Sequence, residues 1–311
     1  MRHALFAIGI SFCASHLAIA ENLSEVDQIG MVHHAAIEQH AGFLGTNGAV
    51  IEQTGEANHA NARQTADLAG NSASIQQVGS GNEADAAQSG SYNFGNNGLQ
   101  IRQTGTDHRA SVEQEIFAGG NGADVDQLGH GNDATVLQSA GFGGNASTIR
   151  QTGTVNTAET AQGAYEGGNN STIDQNGSNN NAVVSQSSEL GVNTSFIQQT
   201  GSGNKAEATQ SAVLVAFLEL QLRQAGAGNQ ASVEQSAFFS GASAVIDQTG
   251  DSNHANVVQT GDSFSNGSDV RQNGSGNEVV LSQTAFSSDN LSTIEQNGSG
   301  NVVSVNQTSG P

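Results

Sequence analysis

A short pattern of residues, NxxxxxQxGxxNxAxxxQ, recurs twelve times along this 311-residue chain and limits what the chain can fold into. Successive copies start 24 to 26 residues apart, so each copy corresponds to one small structural unit with minor loop insertions. A period of this length is typical of solenoids, in which each unit buries its core only by stacking on its neighbours. We therefore predict stacked repeats over residues 21–307, followed by a short tail at residues 308–311.

Two glutamine positions, eleven residues apart, are occupied in every copy. The first position holds Gln28, Gln53, Gln77, Gln103, Gln127, Gln151, Gln175, Gln199, Gln224, Gln248, Gln272 and Gln296. The second position holds Gln39, Gln64, Gln88, Gln114, Gln138, Gln162, Gln186, Gln210, Gln235, Gln259, Gln283 and Gln307. Such strict recurrence predicts that the glutamines form columns along a stack, where identical amides hydrogen-bond to one another.

A glycine follows each first glutamine by two residues, and an asparagine follows it by five residues in ten copies. The glycines are Gly30, Gly55, Gly79, Gly105, Gly129, Gly153, Gly177, Gly201, Gly226, Gly250, Gly274 and Gly298. The asparagines are Asn58, Asn82, Asn132, Asn156, Asn180, Asn204, Asn229, Asn253, Asn277 and Asn301, with His33 and His108 in the other two copies. We predict that the glycine adopts a turn conformation closed to other residues and that the asparagines form a further ladder.

In each half of a unit, positions restricted to one type of residue, which we call specified, alternate with positions that vary freely. Two residues before the first glutamine stands an aliphatic residue in every copy, such as Ile51, and four before it usually stands a small one, such as Ala49. An alternation of period two predicts a strand with one specified face, and the second half repeats it. About four residues, 54–57 in the second copy, would form the turn between the halves.

These observations predict an all-β fold, a β-solenoid of twelve stacked strand–turn–strand rungs. The specified faces of the two strands must face each other, because no other arrangement hides their aliphatic residues. Rungs would then stack parallel and in register about 4.8 Å apart, as in cross-β and amyloid structures. A buried glutamine is costly unless its amide is paired, and a column of glutamines supplies a donor and an acceptor at each step.

The remaining composition excludes several classes of function. Residues 1–20 have the apolar stretch and small-residue ending of a secretory signal peptide, and we expect no membrane insertion elsewhere. The formal net charge of -21 argues against nucleic-acid binding. The histidines, His108 among them, fall at several phases of the repeat without a recurring partner and are expected at the surface, and the calcium-loop-like segment at 119–124 does not recur. We therefore expect neither catalytic residues nor a metal or cofactor.

The repeated Gln-x-Gly-x-x-Asn units over residues 22–307 resemble the curlin repeats of curli subunits, the amyloid fibre proteins of Gram-negative bacteria. The resemblance implies secretion through the periplasm and an outer-membrane pore. It also implies self-association into an extracellular, pilus-like fibre at the cell surface, with a nucleator or major-subunit partner and a role in biofilm matrix and adhesion. Unlike well-known major subunits, this chain begins its first repeat at Asn22 without a glycine-rich leader.

Three functions remain open from the sequence. The first is a fibre subunit that polymerises head to tail, because the first and last repeats carry no evident cap. The second is the minor nucleating subunit of the same fibre. The third is a monomeric ice-binding or ligand-binding solenoid, which would need a regular outward array that the variable positions do not form. The apolar run at residues 212–222 interrupts the pattern and indicates a locally thicker core or a specialised contact.

Overall fold

The computed structural model describes residues 21–91, 95–214 and 216–310, and the predicted signal peptide at 1–20 lies outside these residues. The described chain is all β, with 24 strands in two parallel sheets of twelve strands each. The predicted β-solenoid is therefore confirmed. Among the described residues, no helix has the length and apolar character needed to cross a membrane.

Each unit contributes one strand to each sheet. The odd-numbered strands form the first sheet: β1 Glu21–Met31, β3 Thr46–Glu56, β5 Gly70–Ser80, β7 Asn96–Thr106, β9 Gly120–His130, β11 Gly144–Thr154, β13 Gly168–Ser178, β15 Val192–Ser202, β17 Phe217–Ala227, β19 Gly241–Asp251, β21 Asn266–Ser275 and β23 Asn290–Ser299. The even-numbered strands form the second: β2 His34–Ala41, β4 His59–Ala66, β6 Glu83–Gly90, β8 Arg109–Ile116, β10 Asp133–Ala140, β12 Thr157–Ala164, β14 Asn181–Ser188, β16 Lys205–Ala212, β18 Gln230–Ala237, β20 His254–Gly261, β22 Glu278–Ala285 and β24 Val302–Ser309.

We call an odd strand with the even strand that follows it a rung, so that rung 1 comprises β1 and β2 and rung 12 comprises β23 and β24. Every rung pairs with the next one in parallel and without a register shift, so that residues of the same repeat position are neighbours. The second sheet follows the same rule, and its β24 continues to Ser309, inside the segment 308–311 assigned to a tail above. One repeat position therefore corresponds to one column along the rod.

The core is a narrow strip between the two sheets. The aliphatic residues that precede the first glutamine meet the alanine and valine positions of the second strand, as Ile51 meets Ala60 and Ala62 in one continuous buried cluster. At β17 the interrupted repeat places Leu218, Leu220 and Leu222 inside the rod, where all three are buried. These leucines therefore thicken the core of this unit, since most other rungs have an asparagine at the position of Leu218 and a small residue at the position of Leu220.

The glycine of the bend is required for two separate reasons. All twelve glycines have φ between +105° and +139°, a range that residues with a side chain rarely adopt. In addition, a Cβ atom built on Gly153 would lie 2.0 Å from the carbonyl oxygen of Gly177 in the next rung. The parallel strands continue through these glycines and for one residue beyond them, so only two residues per bend lie outside the strands, fewer than the four expected.

A second left-handed position follows two residues after each glycine, and the sequence pattern did not reveal it. Its φ lies between +55° and +68° in every rung. Six rungs carry glycine there, and the other six carry a residue with a side chain. The latter residues are Val32, Ala57, Asp107, Val155, Asn179 and Ser252. The bend therefore reverses the chain by two left-handed residues, of which only the first also excludes a side chain by contact with the next rung.

The glycine column can be tested with a pair of alanine variants. Gly153→Ala should lower the free energy of unfolding by at least about 2 kcal/mol, since it combines backbone strain with the carbonyl clash. Gly163→Ala in β12 is the matched control, because no atom lies within 4 Å of its added Cβ. Urea unfolding followed by circular dichroism measures both. Equal stability of the two variants would contradict this account of the bend.

Candidate functional site

The two glutamine columns run through the interior of the rod and join every rung to the next. In the first column, Nε2 of each glutamine donates to Oε1 of the glutamine in the following rung at 2.7–2.9 Å. The second column does the same over the same range of distances. The structure thus brings together all 24 glutamines singled out from the sequence, each beside its equivalents.

The second hydrogen of each amide links the two sheets. Gln77 in the first sheet donates to the backbone carbonyl of His59 in the second at 2.9 Å, and Gln64 in the second sheet donates to the carbonyl of Gly48 in the first at 2.9 Å. A buried amide left without partners would cost several kcal/mol. Because these amides are paired along and across the rod, the columns can be polar and still lie in the core.

The asparagines of the bend form a third column, which has an opposite direction. Asn82 donates through Nδ2 to Oδ1 of Asn58 in the preceding rung at 3.0 Å, and its backbone N–H donates to the same oxygen at 3.1 Å. This pattern recurs down to Asn301 and Asn277. The bonds between glutamine side chains therefore run toward rung 12, whereas the bonds between asparagine side chains run toward rung 1; the second hydrogen of a bend asparagine goes to a glycine carbonyl of the following rung, as from Asn82 to Gly105 at 3.2 Å.

A fourth column consists of the asparagines at the start of the odd strands, the first residue of the repeated pattern. Asn71 donates to Asn47 at 3.0 Å, again toward rung 1. The column is interrupted between Asn97 and Asn121, which share no side-chain bond, and again after Asn193, where the next two rungs have Leu218 and Ala242 at this position. The Oδ1 atoms of Asn97 and Asn193 are both buried without a hydrogen-bond partner. At Leu218 the chain thus has more apolar core and no amide link to the neighbouring rungs.

The two histidines of the bend column make two of the hydrogen bonds of the asparagine that they replace, one to a carbonyl four residues earlier and one from a backbone N–H of the next rung. The Nε2 atom of His108 lies 3.1 Å from the carbonyl oxygen of Thr104, and its Nδ1 atom accepts from the backbone N–H of Asn132 at 3.2 Å. His33 makes the equivalent contacts with Ile29 and Asn58. The network assigns the neutral tautomer protonated on Nε2, since a proton on Nδ1 would face the N–H of Asn132.

The end rungs expose groups whose equivalents in rungs 2 to 11 are buried. Val26 is 45 % exposed, whereas Ile51, its neighbour in the same column, is 0 % exposed. No described residue donates a hydrogen bond to Oε1 of Gln28 or Gln39 in rung 1. In rung 12, Oδ1 of Asn290 and of Asn301 likewise accepts from no described residue. Each end rung therefore presents an open set of donors and acceptors, and the two glutamine columns to which they belong are continuous through the rod.

The outer faces of the rod carry the charged residues, and their ion pairs join neighbouring rungs or neighbours on one strand. Arg109 lies 2.8 Å from Glu83 one rung away, and Lys205 lies 2.7 Å from Glu207. These pairs are solvent-exposed and contribute little to stability. Among the described residues, no group of three or more histidine, cysteine, aspartate or glutamate side chains could hold a metal ion.

Adjacent glutamines provide a test of the amide columns. Gln199 belongs to the first column, and its replacement in Gln199→Met leaves buried donors and acceptors of Gln175 and Gln224 without partners. We expect the free energy of unfolding to fall by about 2–5 kcal/mol, since each orphaned buried group costs about 1–3 kcal/mol. Gln198→Met on the outer face is the control and should cost less than about 1 kcal/mol. Indistinguishable urea midpoints would rule out a stabilising ladder.

The buried histidine gives the fold a defined pH dependence. His108 is 1 % exposed, and burial lowers its pKa below the ordinary value of 6.5. The unfolded chain therefore binds a proton at higher pH than the folded chain, so stability is lost as the pH falls below 6.5 and through the lowered pKa. The loss is about 1.4 kcal/mol for each unit by which the pKa is lowered.

We expect the His108→Asn variant to lack this loss of stability at low pH. Its free energy of unfolding should therefore rise relative to that of the wild type as the pH is lowered from 7.5 to 5. Urea unfolding at the two pH values measures the effect. His254→Asn, at an exposed position of β20, serves as the control and should leave the pH dependence nearly unchanged. An equal response of the two variants would contradict the assignment to His108.

Comparison with known protein families identifies the repeat itself. The family model described as the curlin associated repeat matches residues 96–129. This stretch contains all of rung 4, with Gln103, Gly105 and Gln114, and most of β9. No curated protein matches the chain. The resemblance to the curlin-repeat family is therefore confirmed for residues 96–129, which match the curlin associated repeat.

Proposed function

We propose that this protein is the structural subunit of an extracellular curli-like amyloid fibre, in which rung 12 of one copy stacks on rung 1 of the next. The observation that carries this proposal is that the eleven contacts between successive rungs within the chain are alike. Each step uses the same two glutamine columns and the same parallel register. A step between two copies would repeat these columns and this register.

The open groups of the two end rungs are complementary in this arrangement. Glutamine donors point toward rung 12, so Gln296 and Gln307 would donate to Oε1 of Gln28 and Gln39 in the next copy. Asparagine donors point the opposite way, so Nδ2 of Asn22 would donate back across the joint to the open acceptor of rung 12. Stacking would also bury the exposed Val26. A contact between unlike ends does not close on itself and yields a filament.

The location and biological role follow from the family match and belong to the same proposal. The curlin associated repeat supports export through the periplasm and an outer-membrane pore and assembly at the cell surface. Such a fibre would serve as biofilm matrix and would promote adhesion and cell aggregation. A nucleator or a major-subunit partner is part of the proposal, and assembly in a strain that lacks that partner is the test that separates the two subunit roles.

The basic test is polymerisation of residues 21–311 after purification from denaturant. We expect unbranched fibres in electron micrographs, binding of an amyloid dye, and a cross-β reflection at about 4.8 Å. A chain that stays monomeric under native conditions, at concentrations where its circular dichroism shows the β fold, would overturn the proposal.

A proline at the open edge of rung 12 tests the direction of growth. In rungs 1 to 11, the N–H of the first residue of the even strand donates to a bend carbonyl of the next rung, as Glu278 donates to Asn301 at 2.8 Å. The equivalent N–H of Val302 has no next rung within the chain. Val302→Pro removes this donor at an edge position where proline is tolerated.

We expect Val302→Pro to add to wild-type fibres through its rung 1 and then to block further growth, so that a minor fraction of the variant arrests elongation from wild-type seeds. Its own elongation should fall about tenfold or more. Val302→Ala retains the N–H and should elongate nearly as the wild type does. Unchanged elongation of the proline variant, with the fold verified by circular dichroism, would contradict head-to-tail stacking through rung 12.

A further inference from the structure

The outward column that follows the strand asparagines has a distinctive composition. Its first and last members are leucines, Leu23 in rung 1 and Leu291 in rung 12. Neither a leucine nor any other large apolar residue occupies the ten positions between them. Those positions hold Gly48, Ser72, Gly98, Gly122, Ala146, Asn170, Thr194, Glu219, Ser243 and Gly267.

Neither leucine has a side chain to pack against in its own column. Leu23 neighbours Gly48, and Leu291 neighbours Gly267, over which its side chain extends so that a Cβ at Gly267 would lie 3.0 Å from Leu291 Cδ1. Leu23 is 66 % exposed and Leu291 is 76 % exposed. Two large apolar side chains in water at the two ends of one column are unfavourable for the isolated chain.

We propose that Leu23 and Leu291 form a leucine pair across the joint between two copies of this chain and thereby select the in-register, head-to-tail joint. This inference rests on the proposed stacking of rung 12 on rung 1. In that joint the column would read Gly267, Leu291, Leu23, Gly48, with the two leucines one strand spacing, about 4.8 Å, apart. The flanking glycines leave each leucine room to lie against the other.

The pair forms only in one arrangement of the two end rungs. A register shift of one residue would turn the specified face outward and separate the leucines. Stacking of rung 1 on rung 1 would align glutamine acceptors with acceptors. The leucine pair and the amide columns therefore favour the same joint, and the leucines add an apolar contact that no step within the chain possesses.

The bend at this joint has an internal precedent. Asn301 of one copy would meet His33 of the next, and the same succession occurs inside the chain, where Asn82 is followed by His108. There the backbone N–H of His108 donates to Oδ1 of Asn82 at 3.2 Å. An asparagine followed by a histidine is thus compatible with the parallel stack, and the bend does not oppose the joint that brings the leucines together.

The test measures elongation from wild-type seeds and from seeds of each variant. Leu23→Lys and Leu291→Glu each replace one leucine by a charge, and we expect each to slow its own elongation about tenfold through the lost apolar contact. The double variant places lysine opposite glutamate at every joint and should recover most of the wild-type rate at low salt. Fibres of Leu291→Glu should likewise accept Leu23→Lys monomers faster than they accept their own.

Ser72→Lys and Ser72→Glu are the matched controls, because Ser72 lies in the same outward column but inside the rod. They should elongate at nearly the wild-type rate. Two results would overturn the leucine pair while leaving the fibre intact. One is that the single leucine variants elongate like the wild type. The other is that elongation of the double variant is slowed by at least the product of the two factors by which the single variants are slowed. Absence of fibres from the wild type would instead contradict the proposed function, and the joint with it.

Discussion

The structure depends on one condition, which is that a buried amide in this rod finds its partner only in an identical amide one rung away. A single unit of about two dozen residues could not keep Gln77 or Gln103 in its core, because their donors and acceptors would remain open. The repeat removes this cost at every step. Stability is therefore a property of the stack, and the narrow aliphatic strip beside the columns needs no large side chains.

The sequence was sufficient to predict the architecture, because the residues of each column recur in the sequence at a nearly constant spacing. A period-two face around Ile51 and Gln53 specifies a strand, and its recurrence without a gap specifies the parallel register seen in both sheets. The interpretation of the run around Leu220 as locally thicker core also agrees with its burial. In each case the relevant contact joins equivalent positions, which makes it visible in a single chain.

Other features could not be predicted, since they depend on how one rung is oriented on the next. The second left-handed position has no consistent residue, since Val155 and Gly131 both occupy it. The first glycine suggested its backbone angle, but not that the carbonyl of the following rung fills the space of its missing Cβ. His108 looked like a surface histidine in the sequence and is buried, because its ring matches the hydrogen bonds of asparagine.

The opposed orientation of the amides also has an electrostatic consequence for long assemblies. Side-chain dipoles aligned head to tail along a column add up with its length, as peptide dipoles do along a helix. Here the glutamine dipoles run one way along the rod, and the asparagine dipoles run the other way. Their fields partly offset one another, so the core of a filament of many copies accumulates less axial dipole than it would if all four columns had the same orientation.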